Sequence, residues 1–308
     1  HMSENTKIID FMGLRKLATV LSTCLVVVAI GLLAFKGLNF GLDFTGGTLI
    51  EVIYEEPVAL PEVRDQLKTA GYDNAVVVNF GSDTDVLVRL PQGMSPTLGE
   101  EVLKVLKNGT AGEIDLRRIE FVGPQVGEEL REQGGLAVLL ALVVVLIYVA
   151  MRFQIKFSLG AVAALGHDVI ITLGVFALVG WDFDLTVLAA VLAVIGYSLN
   201  DSIVVADRIR ENLRKLRKHD AVEVINISLT ETLDRTLVTS GTTLLVLIAL
   251  AVVGGEMIHS FALALLVGIG VGTYSSIYIV ASLLVTMNIS QDDLIVQEKE
   301  GAEVDDLP

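Results

Sequence analysis

The residue in this chain most able to do chemistry is an aspartate set in an apolar helix. Asp201 lies in the run 196–212, which begins inside an apolar stretch opening near Leu185 and closes in a block of arginines and lysines. That puts it within a membrane span, where an unpaired carboxylate costs about 3 kcal/mol or more. Low-dielectric surroundings favour the neutral form of a carboxyl, the property that lets a group take up and release a proton. The structural alternative is an interhelical hydrogen bond or ion pair that fixes packing.

A second intramembrane acid, Asp168, falls near the middle of the third span. It shares a helix face with Ala164 and Thr172, four residues either way, and His167 beside it is expected to point elsewhere around the helix. Proton relay and the ordering of neighbouring polar groups are both open to it. No further His or Cys cluster exists, so no metal and no cofactor is expected. Arg235 opens the fifth span and could reach Asp201 or snorkel to the headgroups. Thr239, Ser240, Thr242 and Thr243 follow it, able to line a wet path or to bond back to helix carbonyls. Asn200, with Gly268 and Gly272 of the sixth span, is expected to serve helix packing. Gly160, Ala164 and Asp168, and likewise Gly268, Gly272 and Ser276, recur every four residues as close-approach faces.

The elements that hold these residues follow from hydropathy. The 308 residues are 53% hydrophobic with a mean hydropathy of +0.66. Six apolar runs can span a bilayer core of about 30 Å: 17–36, 134–151, 157–179, 185–206, 236–254 and 259–287. Asp201 is then about 8 Å from the end of its span at 1.5 Å per residue. Arg15 and Lys16, Arg152 and Lys156, and the bases of 208–218 fall on one side of a six-span fold, which the positive-inside rule makes cytoplasmic. Both termini are expected there: 1–16 before the first span, and an acidic, disordered tail at 288–308. His1-Met2 reads as a cloning scar. The net charge of −15 argues against a nucleic-acid partner. Cys24, alone, cannot form an intramolecular disulfide.

Residues 37–133 form the one large outer region. Segment 37–48 is too glycine-rich for helix and is expected to be a connector that sets how the outer domain stands on the bundle. Then come strand 48–54, helix 60–70, strands 75–80 and 85–90, helix 98–108 and strand 116–121, a βαββαβ order of the ferredoxin-like kind. The stretch 221–232 is amphipathic and is expected to lie along the membrane surface. The expected fold is therefore a polytopic α-helical membrane protein with six transmembrane helices and a periplasmic α+β domain between the first two.

Four segments carry a family resemblance: Gly41-Leu42-Asp43-Phe44-Thr45-Gly46-Gly47-Thr48, Ile119-Glu120-Phe121-Val122-Gly123-Pro124, the pair His167-Asp168, and the run 196–212. Together they resemble the SecF family of the resistance–nodulation–division superfamily, over nearly the whole chain apart from the scar, the loop 91–97 and the tail. The resemblance implies a multi-pass subunit of the bacterial inner membrane. It implies a heterodimer with SecD that works beside the SecYEG translocon, using the proton motive force to move preprotein substrates across and release them outside. It also implies a proton pathway between two half-bundles, through Asp201 and Arg235, with a further acid on the SecD half. Two other readings stand beside this one. Half of a small-molecule efflux pump of the same superfamily fits poorly, because the loops after spans three and five have only about five residues. A translocon scaffold without transport would make the polar spans purely structural. No nucleophile–base set appears in the outer region, so no enzyme is expected.

Overall fold

The computed structural model describes residues 8–91, 97–110 and 112–290. The acidic tail from 291, His1-Met2 and most of the loop 91–97 lie outside the described residues. After a short 3-10 turn, the order is α1 (Arg15–Phe35), β1 (Asn39–Phe40), α2 (Leu42–Thr45), β2 (Gly47–Tyr54), α3 (Leu60–Thr69), β3 (Val76–Phe80), β4 (Ser82–Leu90), α4 (Leu98–Asn108), β5 (Ile114–Val122), α5 (Pro124–Arg152), α6 (Ile155–Val179), β6 (Asp182–Phe183), α7 (Leu185–Lys215), α8 (Ala221–Val253) and α9 (Glu256–Thr286).

Six of these helices, α1 and α5 to α9, are long and apolar enough to cross a membrane. The multi-pass character expected from hydropathy is present, but the helices overrun the apolar runs. α7 continues to Lys215 and α8 starts at Ala221, so 221–232 is not a separate surface helix but the first third of a 33-residue rod about 50 Å long. Its residues Val224, Ile225, Ser228, Leu229 and Thr232 are buried. Hydropathy marks where a helix meets lipid; it does not mark where the backbone stops being helical. The ends are set by local chemistry instead. Asp184 accepts from the Val187 amide at 2.9 Å and Asp220 from the Val222 amide at 2.6 Å, which caps α7 and α8. Gly180 closes α6 in the left-handed conformation. α6, α7 and α9 form the inner layer, while α1, α5 and α8 keep most of their apolar side chains outside.

The domain between α1 and α5, the outer domain of the sequence expectation, is built on a four-stranded antiparallel sheet in the order β3-β4-β2-β5. On one face Ile50, Val52, Val88 and Leu90 pack against Val63 and Leu67 of α3 and Val102 and Leu106 of α4. Alternation along β2 sends Leu49 to the other face, where it meets Leu42 and Leu87 over the bundle.

The connector differs from the expectation of a non-helical run. Asn39–Phe40 pairs in parallel with Asp182–Phe183, and Leu42–Thr45 makes one helical turn. Phe40, Phe44 and Phe183 gather there with ring centroids 5.8–6.1 Å apart. A side chain at Gly47 would strike the Leu90 carbonyl at 2.3 Å, and one at Gly127 of α5 would meet the Gly46 nitrogen at 2.9 Å. The paired glycines therefore let two backbones close on each other.

Candidate functional site

Asp168 is fully buried at the centre of α6. Its Oδ2 accepts from Ser198 Oγ of α7 at 2.5 Å and from Ser275 Oγ of α9 at 2.7 Å. Its Oδ1 lies 2.9 Å from His167 Nδ1, which overturns the expectation that the imidazole points away. Neighbouring helical residues leave the axis about 100° apart, but the imidazole turns along the helix surface and meets the carboxylate. The ring lies against Tyr274 of α9, centroids 6.3 Å apart.

Asp201 is half-buried on α7. Its Oδ1 accepts from Thr236 Oγ1 of α8 at 2.9 Å, and its Oδ2 from Ser276 Oγ of α9 at 2.6 Å. The donors to the two acids are thus adjacent on α9, and Ser198 and Asp201 are three apart on one face of α7. Asp168 and Asp201 belong to one polar patch running through the inner layer. Hydroxyl donors meet both oxygens of Asp201 without fixing its charge, since a hydroxyl can donate or accept, whereas Asp168 has hydroxyls on one oxygen and the imidazole on the other.

The glycines of α9 make this closeness possible. A Cβ at Gly268 would stand 2.2 Å from Val194 Cγ2, and one at Gly272 would stand 3.2 Å from Ser198 Cβ and 3.5 Å from Asp168 Oδ2. Asn200, by contrast, is exposed on the outer side of α7. Its expected packing role within this chain is corrected: it is one residue off the face that carries Leu199 and Ser202, both buried. Arg235 and Asp201 form no ion pair among the described residues. Arg235 is exposed and lines a cleft of about 230 Å³ with Asp207, Arg208, Glu211 and Glu231. Thr236, the next residue, is the one that reaches Asp201.

Of the hydroxyls after Arg235, Thr242 and Thr243 bond back to the carbonyls of Val238 and Thr239, while Ser240 accepts from Thr273 Oγ1 of α9 at 2.8 Å. Sequence reasoning missed Thr236 and Ser275. Ser276 was visible only as the third member of a close-approach stripe, although a small hydroxyl at that spacing is also a donor aimed across the helix contact.

A second polar cluster ties the outer domain to the bundle. Asp43 Oδ2 accepts from the Leu185 amide at 3.0 Å, at the start of the helix that carries Asp201. Arg89 of β4 pairs with Asp182 at 2.7 Å, and Asn39 also contacts Asp182. These residues border a cleft of about 370 Å³ with Arg118 and Glu120.

The protein-family description "Protein export membrane protein SecD/SecF, C-terminal" matches residues 101–290, and "SecD/SecF GG Motif" matches 31–58. The chain is 52% identical over 307 residues to the protein translocase subunit SecF of Vibrio alginolyticus, covering 98% of each. It is 54% identical over 301 residues to that of Pseudomonas aeruginosa, covering 97% of this chain and 98% of the relative. Among solved structures it is similar to SecDF, a translocon-associated membrane protein from Thermus thermophilus, at a TM-score of 0.84 and 40% identity. That match covers 94% of this chain and 40% of the other, so the chain spans well under half of that longer protein. Against SecDF in its super-membrane-facing form the TM-score is 0.70 at the same coverage.

Proposed function

The chain belongs to the SecF family of protein translocase subunits, and from that premise we propose that it couples proton movement to protein export together with a SecD half. The observation that carries the proposal is Asp201: a half-buried carboxyl inside a span, held by hydroxyls of two other helices. As a carboxylate it accepts from both Thr236 and Ser276. Once protonated, one oxygen becomes a donor and the α7–α8–α9 junction must rearrange its hydrogen bonds. One proton thereby biases a junction with two bonding patterns, the requirement for a ligand to drive a conformational change.

Asp168 is the second station of the relay, joined to Asp201 by α7 and α9. Arg235, next to Thr236 on α8, is the cation that stabilises the ionised form of Asp201 when the junction rearranges. The SecD half is supported as partner by the longer SecDF chain, of which this fold makes up 40%. Two SecDF structures that match at 0.84 and 0.70 support a family that takes more than one arrangement. The outer domain is read as ferredoxin-like, from its βαββαβ order and central β2, and as periplasmic, from the side opposite the basic loops. Both termini are then cytoplasmic, the protein sits in the bacterial inner membrane, and the SecYEG channel and its preproteins are the partners.

The test uses the chain in complex with SecD, reconstituted with the translocase. Asp201→Asn keeps a hydrogen-bonding group of the same shape but no exchangeable charge. It is expected to co-isolate with SecD and to lose the acceleration that a proton gradient gives to late preprotein movement. Full gradient-dependent acceleration in Asp201→Asn would refute the proposal.

A further inference from the structure

His167 has a second nitrogen that the relay above does not use. The residue is only 8% exposed, and its Nε2 is buried with no hydrogen-bond partner among the described residues. An orphaned polar atom of this kind costs about 1–3 kcal/mol. His167 lines a cleft of about 270 Å³ between α1, α6 and α9. The same cleft is lined by Ser282 of α9, whose Oγ is likewise buried and without a hydrogen-bond partner among the described residues. The remaining wall carries the hydroxyls of Thr19, Ser22, Thr23 and Thr286 among the apolar side chains of Val26, Val27, Ile279 and Leu283.

The cleft does not end there. Thr19, Ser282 and Thr286 also line a larger groove of about 650 Å³ that reaches Arg15, Lys16 and Asn288 at the end of the bundle. The hydroxyls along this path are suited to water. Thr19, Thr23 and Thr286 each donate to a carbonyl four residues back on their own helix, at 2.8–2.9 Å, which leaves their lone pairs free to accept. A buried water needs two to four polar partners and about 30 Å³. The cleft offers both, and water there would satisfy Nε2 and Ser282 Oγ together. The charged and titratable groups around His167 are Asp168 at Nδ1, Tyr274 across the ring, and Arg15 and Lys16 at the far mouth of the groove.

We propose that this path is a hydrated entry branch, through which His167 passes protons between the Arg15–Lys16 side of the bundle and Asp168. The step conserves protons. Nε2 takes a proton from groove water, Nδ1 gives its own to Asp168 Oδ1 across 2.9 Å, and the imidazole returns to neutral as the other tautomer. Tyr274 holds the ring in this position: its Oη donates to the Ala18 carbonyl at 3.0 Å, which ties α9 to α1 beside the cleft.

The branch rests on the proton-coupling reading above, so its test separates the two. In the full chain with SecD in membrane vesicles, Cys24→Ser provides a thiol-free background and Ser282→Cys the reporter. A membrane-impermeant cationic methanethiosulfonate is expected to label that thiol from the Arg15–Lys16 side only, while Val28→Cys, on the exposed apolar face of α1, stays unlabelled. A Ser282→Cys thiol no more reactive than the Val28→Cys control, or one reached from the opposite side, would overturn the branch. The second arm measures gradient-driven proton uptake. His167→Phe keeps the ring against Tyr274 and removes both nitrogens, and uptake is expected to fall by about tenfold or more. Wild-type uptake in His167→Phe together with loss in Asp201→Asn would refute the branch and leave the Asp201 reading standing. Wild-type uptake in both would refute the two together.

Discussion

A single methyl group added at Gly268 tests whether the close contact of α7 and α9 holds the site. Its carbon would stand 2.2 and 2.8 Å from the two Cγ atoms of Val194 and 3.1 Å from Val194 Cβ, where ordinary contact begins near 3.4 Å. A β-branched valine in a helix has one strongly preferred rotamer and cannot swing aside. The helices must therefore part by about 1.2 Å, the difference between 3.4 and 2.2 Å. The Ser276–Asp201 bond between α9 and α7 is 2.6 Å long, so the same movement carries it to about 3.8 Å, past useful hydrogen-bond range. Overpacking of this kind costs about 1–3 kcal/mol. Gly268→Ala should lower the apparent melting midpoint of the detergent-solubilised protein by several degrees, at about 2–4 °C per kcal/mol. Val194→Ala removes both offending Cγ atoms, so the double variant should melt above Gly268→Ala alone, a coupling of about 1 kcal/mol or more. A wild-type midpoint in Gly268→Ala, or strictly additive losses in the double variant, would refute the close-contact argument.

Two further outcomes test the outer half of the molecule. Asp43→Ala removes the acceptor of the Leu185 amide and should cost about 0.5–2 kcal/mol of local stability. Hydrogen exchange at Leu185 should then speed up roughly 2- to 30-fold, while Val187, still capped by Asp184, stays protected; unchanged exchange at Leu185 would count against the cap. Burial pushes the Tyr54 phenol up from 10.0 to about 12. Between those values the unfolded chain loses this proton and the folded chain keeps it, so the outer domain should lose stability as pH rises above 10. Absorbance titration should find Tyr54 still protonated where exposed tyrosines have ionised, and ionisation near pH 10 would contradict it.

The legible part of this protein is the part that averages over many residues. Runs of apolar side chains marked six spans, and alternating β-branched strands with turn residues marked the outer sheet, because lipid and core burial act on whole segments. The acids at 168 and 201 were legible for the same reason, as charges where none should be cheap. What escaped depends on single contacts between distant residues. Thr236 and Ser275 look like ordinary hydroxyls until α8 and α9 are packed, and nothing local distinguishes Thr236 from Thr239. Asn200 was expected in helix packing and Arg235 within reach of Asp201 or the headgroups, but one residue along a helix is about 100° around it, and it is Thr236 that meets Asp201. Segment 37–48 was dismissed as helix on glycine content, yet its glycines flank the helical turn, and Asp43 within it caps a helix that starts 142 residues later.

The central proposal is that Asp201 gains and loses a proton inside the membrane. Infrared difference spectroscopy of the complex with SecD, recorded between neutral and acidic pH, reads that event directly as the carbonyl stretch of a protonated carboxyl. A band that appears on acidification in the wild type and is missing in Asp201→Asn is the expected result. A difference spectrum unaltered by Asp201→Asn would contradict it.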